Sequence, residues 1–256
     1  PEKWRDYSGL TVVRGDALGN EMRSRLFEYH RSVERIGQPA ERHEWSMTPQ
    51  TVNAVNLPLQ NALNFPAAIL GRPFFDAAAD DAFNYGAMGS VIGHEISHSF
   101  DNQGAAFDAT GRLNNWWTRD DLAHFQQSGQ ALVAQYNAYA PFPDAQVNGQ
   151  QTMGENIADN AGLAASYDAW QASLKGAPAA VHAGLSGVQQ FFLAYAQTWA
   201  DLAREPALRQ QLLVDVHAPG EFRALEVRNF DGWYAAFNIK PGERQYLTPV
   251  ARVHVW

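Results

Sequence analysis

The segment Val91-Ile92-Gly93-His94-Glu95-Ile96-Ser97-His98-Ser99-Phe100 constrains this chain more than any other stretch of it. It is punctuated by glycine and rich in apolar residues, so the region from Tyr85 to Phe100 reads as a buried helix whose interior glycines mark close packing against another element. At 3.6 residues per turn, His94 and His98 stand one above the other on one face, and two imidazoles so placed can reach a single Zn²⁺. Glu95 is rotated off that face, where it can hold a water beside the metal and take its proton without becoming a ligand. Two histidines at i and i+4 on a buried helix can equally be hydrogen-bonded core residues. A third ligand decides between the two readings.

The chain has no cysteine, so disulfides and thiolate ligands are excluded and any zinc must use histidine and carboxylate. Metzincins supply a glycine and then a third histidine at fixed spacing after the second; Asp101 and Gly104 stand there instead, which removes that class. A carboxylate from another helix remains. Gly154-Glu155-Asn156-Ile157-Ala158-Asp159 puts Glu155 and Asp159 at i and i+4 on one face, among small and apolar residues. Glu155 then reads as the third zinc ligand and Asp159 as the acceptor that fixes a ligating imidazole. The competing reading is a carboxylate pair that serves the helix N-terminus or a solvated face. Three protein ligands leave a coordination position for water, the arrangement of catalytic rather than structural zinc.

Around this pattern, 256 residues with 46% apolar content suffice for a full core, and residues 1–256 read as one lobe without repeats. A formal charge of −8 with no dense basic run argues against a nucleic-acid partner. No run of 18 apolar residues is present to cross a bilayer. The chain opens at Pro1 with no initiator Met and no leader pattern, which reads as a piece of a longer chain.

Several helices are legible. Asp16 is placed to cap one whose apolar stripe, Leu18, Met22, Leu26, Tyr29, Val33 and Ile36, is expected in the core. The residues from Val52 to Val55 and from Leu63 to Phe65 suggest a short hairpin or edge strand. Thr118 is expected to cap a helix carrying Leu122, Phe125, Leu132 and Tyr136, and a further helix runs from about Gly154 to Gln171. Ser186 with Gln189 three residues on forms a capping box for a helix with the stripe Phe192, Tyr195, Trp199 and Leu202, and Pro206 opens another.

Taken together, VNAV at 52–55, FPAAIL at 65–70, PFF at 73–75, NYG at 84–86, VIGHEISHSFD at 91–101, NNWWT at 114–118, GENIADNAGL at 154–163, FFLAYAQTWA at 191–200, DVHAP at 215–219 and the terminal VW resemble the neprilysin and endothelin-converting-enzyme family of zinc endopeptidases. The resemblance implies a mainly α (α+β), thermolysin-like catalytic lobe with a small edge sheet and several packed helices. It implies one zinc on His94, His98 and Glu155, Glu95 as general base, and Asp159 behind a zinc-bound histidine. It further assigns His217 to oxyanion stabilisation with Asp215 orienting it, and Asn53 and Ala54 to holding an extended peptide as an added strand. Arg223 would hold a substrate carbonyl, and Ile69, Phe74, Val91 and Trp199 would form a pocket for a large apolar side chain after the cut. Read without the resemblance, Asn53 is equally a turn residue, Arg223 a surface residue near a helix start, and the pocket residues are core.

Two departures bear on the pocket: Val55-Asn56 stands where the family often has an aromatic pair, and Ser90 where a larger apolar residue is common. The cysteines of animal members are missing, which favours a bacterial relative. Family members also carry a large N-terminal portion with a helical lid, absent from this sequence and a partner it would need. The resemblance suggests an extracytoplasmic location, periplasmic or secreted. Peptide hydrolysis on the amino side of hydrophobic residues is the function expected. The rival is a zinc-containing but inactive lobe acting as a binding or structural module. A hydrolase of non-peptide substrates is disfavoured by the Asn53-Ala54 segment.

Overall fold

The computed structural model describes residues 4–42 and 44–256. The single lobe read from the sequence divides into two compact units, one ending at Ser46 and one spanning Met47–Trp256. The first is built on α1 (Ala17–Glu34), capped as its sequence requires by the Asp16 carboxylate, which accepts the Gly19 N–H at 3.0 Å. The expected core stripe is not core. α1 buries no residue, and Leu18 and Ile36 are 73% and 77% exposed. Periodicity makes the helix amphipathic, but burial needs a facing apolar surface, and what this unit supplies instead is an ion-pair cluster of Arg5, Arg31 and Arg35 on Glu44.

In the second unit, β1 (Val55–Leu57) pairs antiparallel with β2 (Ala62–Asn64) in the register Val55↔Asn64, Asn56↔Leu63, Leu57↔Ala62. Asn53 and Ala54 immediately precede β1 and are not part of the ladder. The helix expected from Tyr85 begins earlier and ends sooner. It runs as α2 (Asp81–Asn84), a π-helical turn (Tyr85–Gly89) and α3 (Ser90–Ser97), and residues 98–100 leave it in turns. In the π turn, a feature frequent beside functional sites, the Tyr85 carbonyl accepts both the Ser90 N–H and, at 2.6 Å, the Ser166 hydroxyl of the facing helix.

α4 (Arg119–Asn137) starts at the Thr118 cap and buries Phe125, Leu132 and Tyr136. α5 (Met153–Ser173) crosses α3 with main chains touching: a Cβ on Gly93 would lie 2.5 Å from the Gly162 carbonyl oxygen, and one on Gly162 would lie 2.4 Å from the His94 nitrogen. Only glycine permits that approach, and it brings the histidines of α3 beside the carboxylates of α5. α6 (Gly187–Thr198) has the capping box expected from Ser186 and Gln189. Its stripe stops at Trp199, because Leu202 falls beyond the helix end and is fully exposed. α7 (Glu205–Val214), with Pro206 in its first turn, buries nothing, and α8 (Gly220–Ala224) and α9 (Asp231–Phe237) complete the unit.

Two large apolar clusters flank α5. One joins Leu132, Tyr136, Ile157, Phe222, Val253 and Val255, and the other Leu163, Trp170, Phe191, Phe192, Tyr195 and Phe230. Between α4, α5 and the chain end lies a polar knot centred on the fully buried Glu226. Its carboxylate accepts Tyr136 Oη at 2.8 Å and the Asn160 and Asn229 amides at 2.7 Å each. Asn160 and Asn229 in turn bond the main chain at Val253 and Val255. Burial pushes the Glu226 carboxyl up to about 7, aided by the negative charge of Asp159 and opposed by the three donors.

A raised acid takes up its proton on folding. The stability it confers is therefore complete below its ordinary value near 4.5 and is lost as pH rises through about 7. The wild-type chain is expected to lose up to about 3 kcal/mol of stability across that window. Glu226→Gln should flatten that slope in urea titrations at stepped pH, and an unchanged slope would exclude Glu226 as its source.

Candidate metal centre and active site

α3 and α5 bring His94, His98 and Glu155 together so that one ligand atom from each lies within 4.8 Å of the others. His94 Nε2 is 3.0 Å from His98 Nε2, and Glu155 Oε2 is 3.2 Å from the first and 3.6 Å from the second. Behind them, His94 Nδ1 donates to Asp159 Oδ1 at 2.8 Å and His98 Nδ1 donates to Asp101 Oδ2 at 2.6 Å. With both Nδ1 atoms committed as donors, each neutral ring turns an Nε2 lone pair toward the same point as the Glu155 carboxylate. Glu155 Oε2 is buried and finds no partner in hydrogen-bond geometry. Three converging electron pairs, one on an orphaned buried oxygen, fit a cation, and nitrogen and oxygen donors of this kind suit Zn²⁺.

The electrostatics agree. Burial penalises the charge on Glu155, yet His217, His94 and His98 hold its carboxyl far below the usual carboxylate range. Burial also disfavours an imidazolium at His98, yet Asp101 and Glu155 hold its pKa up at about 10. The cradle thus favours positive charge, and a metal would enter by displacing protons.

Glu95 is buried but stands outside this three-residue group. Burial pushes its carboxyl up, opposed by the two neighbouring imidazoles, and the main chain of Asn56 favours its charged form. His217 points Nε2 at Glu155 Oε2 across 3.1 Å, while Asp215 Oδ1 accepts both its Nδ1 and its backbone N–H at 2.8 and 2.9 Å. Its pKa is raised, chiefly by the Glu155 carboxylate and against the effect of burial.

Arg223 is no surface residue. It is 8% exposed, grips Asp159 through Nε and Nη2 at 2.7 and 2.8 Å, and lies 3.7 Å above the Trp199 ring.

All these groups except Asp159 and Asp215 border one cleft of about 560 Å³, which Asn53, Ala54, Ile69, Phe74, Val91 and Trp199 also line. A separate hollow of about 510 Å³ near Trp117, Phe125 and Met153 has no ionisable side chain on its wall. Ile69 and Val91 pack with Ala54, Met88, Phe65 and Phe74, so three of the expected pocket residues share one cluster, while Trp199 packs against the Phe191–Tyr195 cluster and meets the others only along the cleft wall. Ser90 does not reach the cleft, because its hydroxyl turns back to the Gly86 carbonyl at 2.8 Å. Two residues escaped the sequence reading. Asp101 anchors His98, and its signal was a carboxylate one turn beyond the second histidine. Asn56 was noted only as a departure, although it bonds the end of α3.

A mainly helical lobe with one histidine on α3, a second one turn on at its C-cap and a facing glutamate on α5 is a metalloprotease lobe of the zincin type. The chain belongs to peptidase family M13, whose sequence profile matches residues 53–253, entirely within the second unit. It is 36% identical over 256 residues to an endothelin-converting enzyme homolog of Locusta migratoria, covering 98% of this chain and 35% of that protein. It is 39% identical over 228 residues to a neutral endopeptidase of Lactobacillus helveticus, covering 88% of this chain and 33% of the relative. The crystal structure of the Mycobacterium tuberculosis zinc metalloprotease ZMP1 with an inhibitor superposes with a TM-score of 0.96 at 46% identity, over 100% of this chain and 40% of that one. The chain thus spans about a third of the length of the curated relatives it matches.

Proposed function

We propose that this chain is the catalytic lobe of a zinc endopeptidase that cleaves oligopeptides on the amino side of a hydrophobic residue. The observation that carries the reading is the convergence of His94 Nε2, His98 Nε2 and Glu155 Oε2 on one point, with a second carboxylate, that of Glu95, on the same cleft and outside the ligand group. A structural site would close with four ligands. Zinc held by these three side chains would supply Lewis-acid polarisation of the scissile carbonyl and an acidified water.

The protein's own groups do the rest. Glu95 accepts a proton from the attacking water and returns it to the leaving amine, and its upward-shifted pKa suits it to both tasks. His217, braced by Asp215 at Nδ1, directs Nε2 into the site, where in its protonated form it donates to the oxygen that becomes negative in the transition state. Asp159, pinned by Arg223, holds His94 in the tautomer that presents Nε2. The Asn53 amide and the Ala54 main chain receive an extended peptide, and Arg223 offers its free N–H groups to a substrate carbonyl. The apolar wall that Ile69, Phe74 and Val91 form together, with Trp199 also on the cleft, takes the apolar side chain after the cut, hence the preference.

No helix among the described residues is long and apolar enough to cross a membrane, and an extracytoplasmic setting belongs to the same proposal. Peptides carrying a Phe or Leu at one position, incubated with the zinc-loaded chain, are expected to yield fragments beginning with that residue. Products should vanish on chelation and return with zinc, as read by mass spectrometry.

The second reading is a metal-binding lobe without turnover. No fragments from a folded, zinc-replete sample would select it.

A further inference from the structure

The departure at Val55-Asn56, to which the catalytic scheme gives no role, has a structural counterpart. α3 ends at Ser97, so the Glu95 carbonyl is among the last four of its helix and lacks an assured amide partner. The amides that follow bond elsewhere: His98 N–H to His94 O at 3.1 Å, Ser99 N–H to Ile96 O at 3.1 Å, and Phe100 N–H to Ser97 O at 2.8 Å. Asn56, reaching across from β1, fills the gap. Its Nδ2 donates to the Glu95 carbonyl at 2.6 Å and to the Ser99 hydroxyl at 2.8 Å.

The Asn56 Oδ1 is buried and accepts nothing, so both hydrogen bonds of this side chain run from the hairpin into the end of α3. A leucine of similar size would strand no buried acceptor at position 56. What the amide adds is the two donors. Its main chain also faces the Glu95 carboxylate, so this one residue meets Glu95 at both ends. Three residues earlier on the same segment, Asn53 and then Ala54 line the cleft that Glu95 borders.

We propose that Asn56 is a positioning residue: by capping the Glu95 carbonyl from β1, it fixes the general base relative to the segment that receives the peptide. The proposal rests on the peptidase reading and goes beyond it by assigning the alignment of base and substrate to the Asn56 side chain, which acts through the main chain of Glu95 and stands outside the metal-ligand group. Loss of the cap leaves the hairpin ladder and the metal-ligand side chains intact but frees the end of α3. A base displaced by a fraction of an ångström costs turnover rather than binding.

The test compares the full chain with Asn56→Leu, Asn56→Gln and Ser99→Ala. Asn56→Leu is expected to keep zinc affinity and KM within about twofold of wild type and to lower kcat about 10- to 100-fold. It should also speed amide hydrogen exchange at residues 96–100 by about fivefold or more. Asn56→Gln, which restores a donor, should recover part of kcat, and Ser99→Ala, which keeps the Glu95 bond, should lose less than Asn56→Leu.

An unchanged kcat in Asn56→Leu, or a fall matched by lost zinc affinity, overturns the proposal, as does an equal loss in Ser99→Ala. If the wild-type chain does not turn over peptide, the peptidase reading fails separately and exchange alone decides the cap. Faster exchange at 96–100 then supports it, and unchanged exchange overturns it.

Discussion

Glu95→Gln is expected to keep zinc bound and lower kcat by about 10²- to 10⁴-fold, the range a positioned general base contributes. The substitution preserves shape in a buried position and removes a charge that burial disfavours, so thermal stability should hold or rise slightly. Zinc affinity should stay within a few-fold, because Glu95 stands outside the ligand group. Metal content by atomic absorption and turnover of one peptide, measured on the same preparation, separate the roles. Turnover retained at a tenth of wild type or more would remove Glu95 from the mechanism, and loss of zinc would make it a ligand.

Asp159→Ala should have the larger effect on the fold. Asp159 is 2% exposed and is the carboxylate that Arg223 grips through two nitrogens, while the same carboxylate holds His94 Nδ1. Its removal leaves a guanidinium buried above Trp199 without the carboxylate that hydrogen-bonds it, at a cost of about 3–5 kcal/mol. It also releases the His94 ring, for which a loss of about 10- to 100-fold in zinc affinity is expected. Urea unfolding in chelator reads the first effect free of metal linkage, and competition with a chromogenic chelator reads the second. A variant within about 1 kcal/mol of wild type with unchanged zinc affinity would show that the Arg223–Asp159–His94 chain is not the support described.

What the sequence revealed follows from how local each feature is. The caps at Asp16, Thr118 and Ser186 were legible because a cap is a bond between residues three apart. The His94–His98 pair was legible because helical periodicity alone puts the rings on one face, and Gly93 announced the contact it makes with Gly162. Glu155 needed a second helix, and only its pairing with Asp159 in apolar company marked it.

Features that depend on a distant partner were not legible. The stripe of α1 was assigned to the core by period, but period cannot say whether a facing surface exists. Leu202 continued a helical spacing past the point where the helix ends. Arg223 was open to a surface reading until the fold set it against Asp159, and Asn56 acquired a role only when β1 met α3. Glu226 gave no sign at all, because its three donors come from α4, α5 and its own turn.

The central claim is that His94, His98 and Glu155 hold one zinc and leave a coordination position free beside Glu95. An anomalous difference map from crystals of the zinc-loaded chain, recorded at the zinc edge, tests it most directly. The account predicts one peak per chain, contacted by His94 Nε2, His98 Nε2 and a Glu155 oxygen, with no fourth protein atom. A peak ligated by a fourth side chain such as His217, or one from which Glu155 is turned away, would contradict it.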